Sequence, residues 1–169
     1  MLSGGDPRSL HGVDDVMPLA SADPSTFDGL FECLFSDDEV VRMRAADTLE
    51  KIARSRPGLF AGYTQRLLSD VARIDQPSVQ WHLAQILAEI ELSPKQRARA
   101  VAILKQNLDK SDDWIVVNHT LEALGHFAGD DPRLRDELIP ILQHHQASTR
   151  KSIAKRATKL LAKLQATAH

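Results

Sequence analysis

Apolar residues recur along this chain at helical spacing and again at a longer period. Val41, Ala45, Leu49 and Ile52 occupy positions 0, 4, 8 and 11 of a segment introduced by Asp38-Glu39. The same frame returns at Val79, Leu83, Leu87 and Ile90, and at Val116, Thr120, Leu124 and Phe127. A looser copy runs through Thr149, Ile153, Ala157 and Leu160. At roughly 100° per residue these positions share one face of an α-helix. Between the copies stand Pro24, Pro57, Pro94 and Pro132, spaced 33, 37 and 38 residues apart. Asp23, Ser93 and Asp131 precede three of them. A polar cap accepts a free backbone N–H, and proline at the first helical position has no N–H to leave unpaired.

Each repeat therefore predicts a helix A after the proline and a helix B after a polar turn. The A helices are placed at 24–35, 57–73, 94–109 and 132–144. The B helices are placed at 38–54, 77–91, 113–128 and 148–165. Such short connections suit antiparallel helix pairs. Residues 1–22 stand apart from the repeat domain, 23–169. Gly4, Gly5, Pro7 and Pro18 read as a loose arm, whereas Leu10, Val13, Val16 and Met17 have the spacing of a short helix. A helix there would cap the first repeat, as a stack of repeats requires.

Composition agrees with an all-α chain. Ala, Leu, Arg, Lys and Gln abound, and runs of β-branched residues are absent. The net charge of −2 calls for neither nucleic acid nor membrane, but it is unevenly spread. Residues 1–40 hold nine acids against Arg8, a net of −8; residues 131–169 hold eight bases against three acids, a net of +5. This asymmetry can steer a partner. The single cysteine, Cys33, lies in an apolar stretch and reads as a buried, inert thiol. No apolar run reaches the ~18 residues of a membrane span, and the N-terminus lacks a basic-then-apolar leader pattern. The expectation is a cytoplasmic protein without a membrane span.

The string Asp38-x-x-Val41-Arg42-x-x-Ala45-Ala46-x-x-Leu49 resembles the second helix of HEAT repeats. Ser111-Asp112-Asp113-Trp114 with Leu121-Glu122-Ala123-Leu124-Gly125 looks like the same element in small bacterial HEAT-like proteins, and Pro140 looks like the proline that kinks their helix A. Gln80 and Val117 stand where repeats two and three would carry the motif arginine. The resemblance spans roughly residues 23–165. It implies an α-solenoid of about four HEAT-like (armadillo-type) hairpins with a right-handed superhelix, its B helices lining the concave side.

On that implication the groove floor is set by the frame. Position 2, about 200° around from position 0, holds Met43, Trp81 and Asn118. Position 3 holds Arg44, His82 and His119, and position 6 holds Asp47, Gln85 and Glu122. A tryptophan near a methionine on such a face is a candidate anchor for a partner. Trp114 reads as a staple across the turn before the third B helix. The last helix carries Arg150, Lys151, Lys155, Arg156, Lys159 and Lys163 with no acid after Glu137, either as a solvated outer face or as a docking strip for an acidic partner.

Chemistry is sparse. Gly4-Gly5 lacks the spacing and preceding strand of a phosphate loop. His144 and His145 are adjacent and point about 100° apart on a helix. His119 and His126 lie two turns apart, about 10 Å along the axis, too far for one metal. A solvated Glu122–His126 pair is expected instead. No metal, no cofactor and no enzymatic activity are expected. The sequence favours a scaffold that binds a peptide or helix of a partner protein in its groove. The alternative is nucleic-acid binding of the kind implied by DNA alkylation-repair glycosylases, which are also built of HEAT-like repeats. Gln85, one turn after Trp81, supplies no carboxylate for a cationic base.

Overall fold

A computed structural model of the chain describes residues 2–4 and 12–166. Among them are nine α-helices and no strand. The chain divides into two compact units, Met1–Gln96 and Arg97–His169.

The first unit opens with α1, Val13–Ala22, followed by α2, Pro24–Glu32, and α3, Glu39–Ser55. Val13 and Val16 of α1 are buried and Met17 is half-buried, while Leu10, Gly5 and Pro7 lie outside the described residues. The helix starts are those the polar–proline pattern marks. Asp23 Oδ2 accepts from Thr26 N at 2.8 Å, and Asp38 Oδ1 accepts from Val40 N at 2.8 Å. Arg42, the motif arginine, ties one repeat to the next. Its Nε donates to Gln76 Oε1 at 2.6 Å and its Nη1 to the Ser36 carbonyl at 2.6 Å. It thus joins the turn before α3 to the turn before α5, Pro77–Glu89. Helices α3 and α5 pack together, and α1 covers α2 and α3.

The expected helix 57–73 is not continuous. It is a 3-10 turn at Pro57–Phe60, a short α4 at Thr64–Ser69 and a second 3-10 turn at Val71–Arg73. Gly58 and Gly62 each disfavour helix by about 1 kcal/mol relative to alanine. Aromatic packing then fixes the broken segment. The Phe60 ring meets Phe27 edge-on at 5.2 Å, and Tyr63 lies 4.9 Å from Phe27 and 4.7 Å from Phe31.

The second unit contains most of α6, Pro94–Lys110, then α7, Trp114–Phe127, α8, Pro132–Gln146, and α9, Lys151–Ala166. Ser93 and Gln96 form a reciprocal capping box at the start of α6. Asp113 caps α7 and Asp131 caps α8 through paired backbone N–H groups. Helix α9 packs against both α7 and α8. The repeated frame is the core of both units: Ala45, Leu49, Ile52, Val79, Leu83, Leu87, Val116, Thr120, Leu124 and Ala157 are all buried. The exceptions are Val41, which is half-buried, and Thr149, which is exposed and precedes α9.

The Asp23 cap yields a pH prediction. Hydrogen bonds from Ser25 and Thr26 lower its pKa from 3.8 to about 2. A carboxylate with a depressed folded pKa stabilises fully above its ordinary value and loses that contribution as pH falls through the folded one. Carbon-detected NMR titration should place the Asp23 midpoint at about 2. Asp23→Asn should keep the cap and remove this pH dependence. An ordinary midpoint near 3.8 would show that the cap does not form.

Candidate functional site

In the first unit the predicted floor residues come from α3 and α5, and the structure sorts them into two groups. Met43, Asp47, Trp81 and Gln85 are half-buried and open to solvent in part. Arg44 and His82 are not on an exposed floor; they are 0% and 7% exposed. Arg44 is covered because its Nη1 donates to the Leu2 carbonyl at 2.8 Å and to the Gly4 carbonyl at 2.6 Å. A buried guanidinium holds its charge only where acceptors replace water, and here the N-terminal segment supplies them. The repeat frame carried no signal of that contact, which links residues some forty positions apart.

His82 is turned inward by hydrogen bonding. Its Nδ1 donates to the Ser78 carbonyl at 2.6 Å, which leaves Nε2 as acceptor. Trp81 Nε1 donates to that nitrogen at 3.2 Å, and Asp47 Oδ1 lies 3.6 Å from it. Burial opposes ionisation of Asp47, but the neighbouring His82 and Lys51 side chains outweigh it and hold its pKa below the ordinary value. The indole of Trp81 is therefore oriented by its neighbour while part of its surface stays accessible. This is an apolar ring with an acid, an amide and a thioether around it.

In the second unit Asn118, His119 and Glu122 lie on α7. Arg156 of α9 reaches two of them: its Nε donates to Asn118 Oδ1 at 2.7 Å and its Nη1 to Glu122 Oε1 at 2.5 Å. The planar fork of an arginine suits two acceptors one helical turn apart. This corrects two readings. Glu122 pairs with Arg156, and His119 Nδ1 lies 3.8 Å from its other oxygen, whereas the expected pairing with His126 does not form. His126 is exposed and meets the Phe127 ring instead. Arg156 is consequently half-buried and structural, apart from the exposed Arg150, Lys151, Lys155, Lys159 and Lys163. The apolar residues interleaved with them, Ile153, Ala157, Leu160, Leu161 and Leu164, are buried.

Three further readings are settled by position. Trp114 is the first residue of α7, inside the Asp113 cap, and is 39% exposed. A staple requires the residue before the cap, so Trp114 is no staple. Cys33 sits in a 3-10 turn, half-buried, and burial raises its thiol pKa. His144 and His145 line a shallow pocket with Leu108, Asp109, Pro140 and Ile141, which apolar spacing alone could not place. Burial, with a smaller effect of His144, lowers the pKa of His145. Among the described residues no group of three or more His, Cys, Asp or Glu gathers at metal-binding range, and no helix is long and apolar enough to cross a membrane.

No family model matches the chain. It is 31% identical over 144 residues to importin subunit alpha-2 of Arabidopsis thaliana, an alignment covering 74% of this chain and 26% of that protein. The chain thus spans about a quarter of the length of the relative it resembles. With the all-helical structure, that similarity is consistent with a helical-repeat fold. An engineered protein of known crystal structure aligns with a TM-score of 0.66 at 20% identity, covering 98% of this chain and 78% of that one. At that identity the likeness is one of fold.

Proposed function

We propose that the chain is a non-catalytic protein-interaction scaffold of about four HEAT-like hairpins, acting in the cytoplasm, and that it takes a peptide or helix of a partner protein. The observation that carries this reading is the α3/α5 face of the first unit. Trp81 is held there by its hydrogen bond to His82 and remains partly accessible beside Met43, Asp47 and Gln85. Oriented aromatic side chains with accessible surface are the usual anchors of protein interfaces. The similarity to an importin alpha over most of this chain supports a helical-repeat scaffold.

Capture of partners from native cytosol on wild-type and Trp81→Ala protein tests the reading. For any specific partner, Trp81→Ala should weaken binding by about 2 kcal/mol or more, roughly thirtyfold in Kd. Its unfolding transition should stay cooperative and close to that of the wild type. A large stability loss with binding unchanged would assign Trp81 to the core and sink the proposal. A second reading rests on the exposed Lys151, Lys155 and Lys159 of α9, which form a basic ridge suited to nucleic acid. In that case binding would collapse steeply with salt and follow these lysines rather than Trp81.

A further inference from the structure

The hydrogen bond that orients Trp81 exists only while His82 is neutral. His82 Nδ1 lies 2.6 Å from the Ser78 carbonyl, which can only accept, so that nitrogen carries a proton. Trp81 Nε1 can only donate, and it donates to His82 Nε2 at 3.2 Å, so Nε2 presents its lone pair. The two partners together fix one tautomer and one charge state. A second proton has only Nε2 to go to. The imidazolium then carries an N–H on both nitrogens, and the indole N–H faces a donor in place of an acceptor. His82 is 7% exposed, so solvent offers little substitute. Asp47 Oδ1, 3.6 Å from the same nitrogen, is the acceptor at hand. Burial opposes the charge of that carboxylate, but His82 and Lys51 hold its pKa below the ordinary value, so it is ionised where histidines titrate.

We propose that His82 is a proton switch for the Trp81 face: the neutral ring seats the indole for a partner, and the protonated ring turns to Asp47 and releases it. The inference rests on the reading of α3/α5 as a recognition face and adds its regulation. Protonation exchanges a bond within α5 for an ion pair between α3 and α5. Both residues that change partner, Trp81 and Asp47, belong to the accessible set with Met43 and Gln85. Binding through Trp81 is therefore full above the titration of His82 and falls away below it. The surrounding charges fit this direction. From α3 come Asp47, with Lys51 bonded to its other oxygen at 2.9 Å, the buried Arg44 one turn earlier, and Glu50 paired with Arg54. The 3-10 turn Val71–Arg73, which also packs on α5, brings Arg73, and α5 itself adds Glu89; both are exposed and screened by salt. Asp47 is the acid placed at Nε2, so it takes the new N–H.

NMR of the full chain tests this without a partner. The two tryptophans give two indole N–H signals, and Trp114 is the control. As pH falls, the Trp81 signal should move upfield in one step with the His82 ring titration, while Trp114 stays in place. His82→Gln carries an amide that can donate to Ser78 and accept from Trp81 without titrating, so its Trp81 signal should not move over that range. In Asp47→Asn the step should come at lower pH, because the imidazolium loses its anionic partner. Affinity for a captured partner should fall across the step by up to the roughly thirtyfold that Trp81 contributes, and in His82→Gln it should hold. A Trp81 signal that ignores the His82 titration overturns the proposal, as does an unchanged step in His82→Gln. Should His82→Gln fail to fold, the wild-type titration and Asp47→Asn still decide. The two readings fail separately. Capture that ignores Trp81 at every pH sinks the recognition face, and capture that needs Trp81 equally at every pH sinks the switch alone.

Discussion

Leu87→Ala will destabilise the first unit by about 2–5 kcal/mol. Leu87 is 0% exposed and occupies position 8 of the repeated frame, as do Leu49 and Leu124, which are equally buried. Truncation removes one methine and two methyl carbons from packing and leaves a cavity that the surrounding helices fill only in part. The width of the range reflects how far they collapse. Two compact units make a single global transition unsafe to assume, but each unit carries its own reporter: Trp81 in α5 and Trp114 in α7. Urea titrations of Trp114→Phe and Trp81→Phe backgrounds follow the first and second units separately. In the first background Leu87→Ala should lower the midpoint with little change in slope. A loss below about 0.5 kcal/mol, the usual range for surface positions, would mean that the frame is out of register.

That prediction rests on the part of the structure most legible in the sequence. Apolar spacing along a helix states which face is buried, whatever lies against it, so the frame identifies the core positions of α3, α5 and α7 without knowledge of the neighbours. Caps are local as well, and Asp23, Asp38, Asp113 and Asp131 bond within three residues of themselves. What the sequence concealed were contacts that depend on a distant partner. Arg44 looks like a solvated charge until residues 2–4 lie across it. Glu122 looks paired with His126 until α9 brings Arg156 to it. The segment 57–73 has enough apolar residues for a helix, but Gly58 and Gly62 weaken it and the Phe27, Phe31, Phe60 and Tyr63 rings decide its path. The candidate site was legible to the same degree. The frame found the half-buried Met43, Asp47, Trp81 and Gln85 but not the inward turn of Arg44 and His82, which side-chain hydrogen bonds impose.

Gly125→Val will destabilise the second unit by about 1–3 kcal/mol, the range for overpacking a well-filled core. Gly125 lies inside α7, where glycine by itself costs about 1 kcal/mol relative to alanine. The close approach of α9 explains its presence. A Cβ at Gly125 would stand 2.6 Å from Leu160 Cδ2, with Cδ1 at 3.3 Å and Cγ at 3.4 Å. Those are side-chain atoms of one flexible leucine, so Gly125→Ala is a contest between gained helix propensity and a displaced Leu160 tip, and its net effect should be small. Valine adds two methyl groups at the same place with a stiff χ1, and Leu160, itself buried, has no room to retreat from both. The loss should therefore be specific to this contact. Leu160→Ala opens the space at the cost of its own cavity, and the double variant Gly125→Val/Leu160→Ala should be more stable than the sum of the two single losses. Urea unfolding followed at Trp114 in the Trp81→Phe background measures all three. Additive losses, or a Gly125→Val protein as stable as the wild type, would show that α7 and α9 do not approach at Gly125.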